Sequence, residues 1–188
     1  MPLRLRPFVR GDYDRLIASA ESPDFLYQWA GPLFNFPLDR LQLERYLLTA
    51  IGDPPTHRIY TALDGTGGPA GHIELANTDQ VNRSANIARV LIFAGRRGQG
   101  LGRELLTLAL AVGFDELKLH RLSLYVFDFN LAAIAAYEHA GMRTEGLLRD
   151  VRRVGDKFWS VYQMSMLEDE WRARRSSGHT PPAQPAPE

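Results

Sequence analysis

The chain has 188 residues, with 22 Lys and Arg against 22 Asp and Glu and no cysteine. This length suits one domain with a core of its own. The balanced charge argues against a general nucleic-acid binder, and the absence of cysteine excludes disulfides, thiol nucleophiles and thiolate metal sites. The five histidines show no paired ligand spacing, so no metal site is predicted.

The first quarter of the chain is predicted to form a strand and two helices. Leu3–Pro7 alternates apolar and charged residues, which predicts a strand with one buried face. Asp12 is a candidate cap for a short helix that runs to about Ala20. The aromatic segment 25–37 is predicted to be irregular, and a helix over about 39–51 follows it.

The remaining elements alternate between strands and helices. Strands are predicted at 58–63, 69–76 and about 85–94, and a largely apolar helix follows to about 118. A strand, a helix and a hairpin are then predicted at Arg121–Phe127, Asn130–Ala140 and 142–167. This order predicts one α/β (α+β mixed) domain over 1–171. Residues 172–188 are polar with four prolines, which predicts a disordered tail. No apolar segment is long enough to span a membrane, so we expect a cytoplasmic protein.

Residues 96–103 form an arginine- and glycine-rich segment, Arg-Arg-Gly-Gln-Gly-Leu-Gly-Arg, at a predicted strand-to-helix junction. Glycine permits a close backbone approach, and the N–H groups of a helix start favour an anion. A P-loop would need Lys and Ser or Thr where Leu101 and Gly102 stand, and a dinucleotide fingerprint would need glycine at Arg103. The segment therefore indicates a seat for a phosphorylated cofactor; a surface loop with a tight turn is the alternative.

A second informative stretch runs from Asn130 to Met142. Asn130 is placed to cap a helix, Tyr137 lies two turns into it, and Gly141 ends it. Together the two stretches resemble the GCN5-related N-acetyltransferase (GNAT) superfamily. Residues 97–102 match its Q/R-x-x-G-x-G/A loop, and residues 130–142 match N-x-x-A-I-x-x-Y-E-x-x-G-F, with Met142 in place of Phe.

The resemblance covers about residues 2–170 and implies a specific fold. That fold is a single central, mostly antiparallel mixed sheet of about seven strands, with a splayed central pair and helices on both faces. Residues 87–92 and the last hairpin resemble most the ribosomal-protein alanine N-acetyltransferase (RimJ/RimL-like) branch.

The resemblance also implies acetyl-coenzyme A as cosubstrate, with no metal. Backbone groups of the loop would hold its pyrophosphate, the strand before the loop would bond its pantetheine arm, and Arg96 would meet its adenosine phosphates. The residues expected to bind the cofactor are Val90, Leu91, Ile92, Arg97, Gly98, Gly100, Gly102, Arg103 and the side chain of Asn130.

For the chemistry, Tyr137 resembles the family's general acid, which protonates the leaving thiolate, and a backbone N–H near Leu91 would stabilise the oxyanion. Simple packing is the alternative role for Tyr137. Glu74 is a candidate base, with His72 behind it, because both point to one face of a strand. A solvated strand face is the alternative there. Direct transfer in a ternary complex is predicted.

The acceptor is left open between a protein N-terminus and a small-molecule amine. Trp29, Phe34 and Phe36 either line an acceptor groove or close the core, and Phe158 and Trp159 are expected to form the opposite wall. Two other functions stay open: a non-catalytic acetyl-coenzyme A-binding regulatory module, and a polyamine or aminoglycoside acetyltransferase. The acidic residues such a pocket needs are sparse. No nucleic-acid or membrane partner is expected, and the protein is expected to be a monomer or homodimer.

Overall fold

The computed structural model describes residues 2–176 and shows one seven-stranded sheet flanked by helices. The sheet order is β1-β2-β3-β4-β5-β7-β6. Its strands are β1 (Arg4–Pro7), β2 (Arg58–Leu63), β3 (Pro69–Asp79), β4 (Ser84–Ile92), β5 (Arg121–Phe127), β6 (Arg143–Val154) and β7 (Lys157–Leu167). The α-helices are α1 (Tyr13–Ser19), α2 (Pro23–Ala30), α3 (Arg40–Leu48), α4 (Leu101–Ala111), α5 (Leu131–Ala140) and α6 (Glu168–Ser176).

The sheet splits between β4 and β5. These strands are parallel and pair only where Ser84–Asn86 lies beside Arg121–Ser123, and all the other strand pairs are antiparallel. At the last pair the Asn86 amide donates to Ser123 Oγ at 2.9 Å. Beyond that point the two strands no longer pair with each other, which leaves a wedge between them, here named the β4–β5 cleft. The predicted splayed pair and mixed seven-stranded sheet are confirmed.

A bulge in β4 lies beside this cleft. Glu74 pairs with Ala88 and His72 pairs with Leu91, so one residue on β3 faces two on β4. Arg89, one of the two, adopts φ +52°, a left-handed conformation that is uncommon for a side-chain-bearing residue. The bulge turns the Arg89 side chain and offsets the following β4 backbone from the regular ladder.

Helices cover both faces of the sheet, as predicted. One core contains the buried leucines of α4 together with Trp171 of α6, and the other contains Leu16, Leu26 and Leu43 from the first three helices. The bend in the chain after α4 is a π-helical turn over Val112–Glu116, so the helix predicted to reach about 118 is shorter and irregular at its end.

The prediction that 25–37 is irregular is wrong for its first part, because the helix α2 occupies Pro23–Ala30. The Ser22 hydroxyl accepts from the Phe25 N–H at 3.2 Å, and Pro23 stands in the first turn, where its missing N–H costs nothing. Asp12 does precede α1, but it does not cap the helix. Its carboxylate instead accepts hydrogen bonds from the side chains of Arg6 and Thr61.

Residues 172–176, predicted to begin a disordered tail, instead form the end of α6, which extends to Ser176. Trp171 is buried, its ring stacks on Phe114 at 5.9 Å, and its indole N–H donates to Asp115 at 2.9 Å. Arg175 pairs with the same carboxylate at 2.7 Å, which holds the last turn. The rest of the predicted tail, 177–188, lies outside the described residues. In the described part of the chain, no helix is both long and apolar enough to cross a membrane.

Candidate active site

The glycine-rich loop joins the end of β4 to the start of α4. Gly95, Gly98 and Gly100 have φ of +81°, +78° and +75°, a region that favours glycine. A Cβ added at any of the three would meet nothing within 4 Å. The backbone conformation, not crowding, therefore requires glycine, and the space above the loop is open for a ligand. The first N–H groups of α4 have no partner inside the helix, which makes this opening suited to phosphate oxygens.

Two arginines of the loop are engaged with neighbouring elements. Arg96 pairs with the Asp64 carboxylate of the β2–β3 turn, and its expected contact with the adenosine phosphates stays a prediction. Arg97 donates from Nε to the Ile92 carbonyl at 3.2 Å, and its guanidinium lies 5.5 Å from the centre of the Phe25 ring. Arg103 lies exposed in the first turn of α4.

A cavity of about 700 Å³ occupies the β4–β5 cleft and the adjoining end of α2. It brings together Val90, Leu91, Asn130 and Tyr137, which were predicted to share a site. Ile92 and the loop follow directly along the chain but are not among its lining residues. The lining is Phe25, Gln28, Trp29, Ala30, Gly31, Pro32, Leu33, Ala76, Asn77, Asn86, Ile87, Ala88, Arg89, Val90, Leu91, Leu124, Tyr125, Val126, Phe127, Asn130, Ala133, Tyr137, Arg152 and Val161.

Tyr137 and Asn130 enter the cavity from α5. Burial raises the pKa of Tyr137 to about 12, so the phenol keeps its proton at neutral pH. Asn130 caps the helix, since its Oδ1 accepts from the Ala133 N–H at 3.3 Å, and the Nδ2 group is left as the donor for a ligand. The helix signals read from the sequence therefore bring both side chains to one cavity, and their predicted roles stay predictions.

Glu74 lies behind the cavity wall and is not among the lining residues. Its side chain is fully buried, and its Oε2 accepts from Tyr46 at 2.5 Å and from Arg89, while Oε1 contacts His57 Nδ1 at 2.5 Å. Burial raises the pKa of Glu74, but hydrogen bonds and the charge of Arg89 outweigh it and bring the pKa below its usual value. A solvated strand face, the alternative considered for this position, is wrong because α3 covers it.

His72 lies on the same face as Glu74, as predicted, and is also completely buried. Tyr46 donates to Glu74, so its oxygen accepts from His72 Nε2–H at 3.1 Å, which assigns the tautomer. Burial lowers the pKa of His72 to about 3, so the ring is neutral. Its Nδ1 has no hydrogen-bond partner among the described residues.

The aromatic residues divide between the cavity and the core. Trp29 lines the cavity, whereas Phe34 is buried edge-on against Tyr46 at 5.3 Å and Phe36 is half exposed. Trp159 packs against Phe127 and Phe129 near the cavity mouth but does not line it, and Phe158 is exposed.

Sequence reasoning missed three polar participants, Tyr46, Arg89 and Arg152. The Arg89 side chain is turned by the bulge, and Arg152 follows a register shift in β6 between Leu148 and Arg152. Strand alternation cannot assign a face across such irregularities. Across residues 2–176, no three or more His, Asp or Glu side chains are grouped so as to hold a metal ion.

A glycine loop suited to phosphate oxygens lies beside a split sheet with a protonated tyrosine at the split, which fits the class of transferases that use an acyl-coenzyme A. A family model described as "Acetyltransferase (GNAT) domain" matches residues 2–143, and the chain belongs to this family. It is therefore an acetyl-coenzyme A-using N-acetyltransferase.

Individual relatives agree on the family and differ in their named acceptors. The spermidine N(1)-acetyltransferase of Vibrio cholerae is 27% identical over 173 residues, 92% of this chain and 96% of that protein. A putative ribosomal N-acetyltransferase of Bacillus subtilis is 30% identical over 135 residues, 65% of this chain and 70% of that protein. The structure of the Vibrio cholerae spermidine N-acetyltransferase with CoA and spermine matches with a TM-score of 0.80 at 26% identity, covering 90% of this chain and 98% of that one. These relatives do not single out the predicted ribosomal-protein branch.

Proposed function

We propose that the protein transfers the acetyl group of acetyl-coenzyme A directly to a primary amine while both are bound in the β4–β5 cleft. The observation that carries this proposal is that one cavity joins Tyr137, Asn130 and the stretch of β4 that has no partner on its β5 side. The glycine loop lies at the end of that stretch, so one elongated ligand can reach from the loop into the cavity.

The residues of the chain fit the coenzyme in three places. Backbone groups of Arg97, Gly98, Gly100 and Gly102 form the open anion seat, with Arg103 beside it. Beyond Asn86, β4 has no partner on the β5 side, so the backbone at Val90, Leu91 and Ile92 is placed to bond an extended arm. The Asn130 side-chain amide, at the start of α5, is the third place and donates a hydrogen bond to the pantetheine arm.

The coenzyme supplies an acetyl thioester when bound. As the amine nitrogen bonds to the acetyl carbon, the carbon–sulfur bond breaks, the nitrogen gives up a proton to water, and the sulfur leaves as the thiol. A β4 N–H near Leu91 stabilises the negative charge on the carbonyl oxygen. The Tyr137 phenol, whose raised pKa keeps it protonated, donates to the departing sulfur and regains a proton from water.

Glu74 acts in this proposal by positioning, which revises the direct role expected of it. Both of its oxygens are occupied and Arg89 holds it ionised, so it is a weak proton acceptor. Its contact with Arg89 instead fixes the β4 bulge that borders the cleft. With Glu74 in this role, a neutral amine attacks, and the proton that its nitrogen releases after attack passes to water.

The relatives supply a specific alternative for the acceptor, because several of them are spermidine acetyltransferases. A polyamine is therefore a second candidate substrate class for this chain. A non-catalytic module would bind acetyl-coenzyme A through the same loop but release no thiol.

The direct experiment follows free thiol released from acetyl-coenzyme A with a panel of N-terminal peptides, amino acids, spermidine and aminoglycosides. The proposed function requires amine-dependent release with at least one class. Binding of acetyl-coenzyme A without release for any amine would instead support the regulatory module.

A further inference from the structure

The charge of the cavity lining is unlike that needed for a polycation. None of the lining residues is Asp or Glu, whereas Arg89 and Arg152 both line it. A polyamine carries several positive charges, and a site that holds it must offset them with carboxylates or lose affinity to like-charge repulsion. This lining offers cations instead.

The two arginines differ in how their charge is met. The Arg89 guanidinium is bonded to the buried Glu74 carboxylate, so that pair is neutral as a whole. Arg152 is exposed on β6, and its side chain donates to the Val151 carbonyl at 3.2 Å. Within residues 2–176, no carboxylate lies within ion-pair distance of it. Arg152 is thus the lining residue with an unmatched positive charge.

We propose that the acceptor is an α-amine on an amino acid or short peptide that also carries a carboxylate, and that Arg152 binds this carboxylate. Arginine presents parallel N–H donors that match a carboxylate's two oxygens. The inference rests on the proposed acetyl transfer and names the acceptor class for it. It departs from the polyamine acceptors named for the relatives.

The ionisation of the amine supports the same class. Because the lining holds no carboxylate to accept a proton, the amine must arrive neutral or lose its proton to water. At pH 7.5 an α-amine with a pKa of about 7.8 is about one-third neutral, whereas an amine with a pKa of about 10.4 is only about 0.1% neutral. An α-amine therefore suits a cavity without a base in its wall.

The test uses acceptors that share one α-amine and differ in one side-chain charge. Glycyl-glutamate amide, glycyl-glutamine amide and glycyl-lysine amide are compared with spermidine by kcat/KM for thiol release. We expect the order glutamate, glutamine, lysine, with about a ten- to hundredfold span between first and last, the range of a hydrogen-bonded charged group. Spermidine is expected to be the poorest acceptor.

Variants of β6 assign the preference to Arg152. Arg152→Gln should collapse the glutamate-to-lysine ratio toward one, Arg152→Glu should reverse it, and Arg152→Lys should keep part of it. Arg149→Gln is the matched control, because Arg149 is an exposed arginine on the same strand that does not line the cavity. Thermal unfolding of each variant checks that the fold is intact.

Each outcome decides the inference separately from the proposed function. Higher kcat/KM for spermidine than for glycyl-glutamate amide would overturn the carboxylate acceptor while leaving acetyl transfer intact. An unchanged ratio in Arg152→Gln, or an equal collapse in Arg149→Gln, would overturn the assignment to Arg152. Absence of thiol release with every amine would overturn the proposed function, and the inference with it.

Discussion

The Tyr46 hydroxyl on α3 donates to the Glu74 carboxylate on β3 at 2.5 Å, inside the core that α1, α2 and α3 form with the sheet. The same oxygen accepts from His72 at 3.1 Å. One phenol therefore satisfies two buried polar groups and ties a helix to the strand beside the cleft.

Tyr46→Phe should lower the free energy of unfolding by about 1–3 kcal/mol, because it leaves a buried carboxylate oxygen and an imidazole N–H each short of a partner. Urea denaturation measures the change. Tyr125→Phe serves as the control, since that side chain is half exposed and its loss should stay within about 0.5 kcal/mol. Equal effects of the two changes would contradict the role assigned to Tyr46.

The buried His72 should make stability depend on pH. Its pKa is about 3 when folded, against 6.5 for the ordinary side chain, so between these values the unfolded chain binds the extra proton. The free energy of unfolding is therefore unaffected by the protonation of His72 above about pH 6.5. It decreases as the pH falls, and at pH 5 the decrease is about 2 kcal/mol.

His72→Gln should flatten that decline, as measured by denaturant unfolding at several pH values between 7 and 5. The exposed His139 provides the comparison, and His139→Gln should leave the wild-type slope in place. A slope that is the same in His72→Gln and the wild type would show that the imidazole is not held neutral.

Tyr137→Phe should reduce kcat by about 10²–10⁴-fold, the usual range for loss of a general acid, with acetyl-coenzyme A affinity unchanged within about twofold. Thiol release gives the rate and calorimetric titration gives the affinity. If the rate is retained, Tyr137 serves packing alone and another group assists the leaving sulfur.

Glu74→Gln separates positioning from proton transfer. Loss of the carboxylate leaves Arg89 with an uncompensated buried charge, so we expect lower thermal stability and a raised KM. The shape of the pH profile of kcat should stay as in the wild type. Disappearance of its acidic limb would identify Glu74 as the base after all.

Gly100→Ala should weaken acetyl-coenzyme A binding. The added methyl has open space, so its cost is the left-handed backbone, about 1–2 kcal/mol, and relaxation of that strain would turn the loop's N–H groups. Gly155→Ala in the β6–β7 turn, at φ +59° and also in open space, carries comparable strain far from the loop. The Gly155→Ala variant should therefore be less stable than the wild type while binding acetyl-coenzyme A with the same affinity.

The sequence predicted those parts of the site that depend on neighbours along the chain. The loop glycines and the Asn130–Tyr137 helix are local patterns, and both lie where they were expected. The Glu74 surroundings depend on α3, the residue before β2 and a bulge in β4, which come together only in the folded sheet. Arg152 follows a register shift that breaks strand alternation. Ser22 followed by Pro23 is a typical start of a helix and could have predicted α2. The many aromatic residues that follow led instead to the prediction of an irregular segment.

The most direct measurement of the central claim is mass spectrometry of the acceptor after incubation with enzyme and acetyl-coenzyme A, quantified against the thiol released. We expect acetylated amine and free thiol in equal amounts, with no acetylated enzyme when the amine is left out. Acetyl-coenzyme A bound by the protein with no acetylated amine from any acceptor class would contradict it.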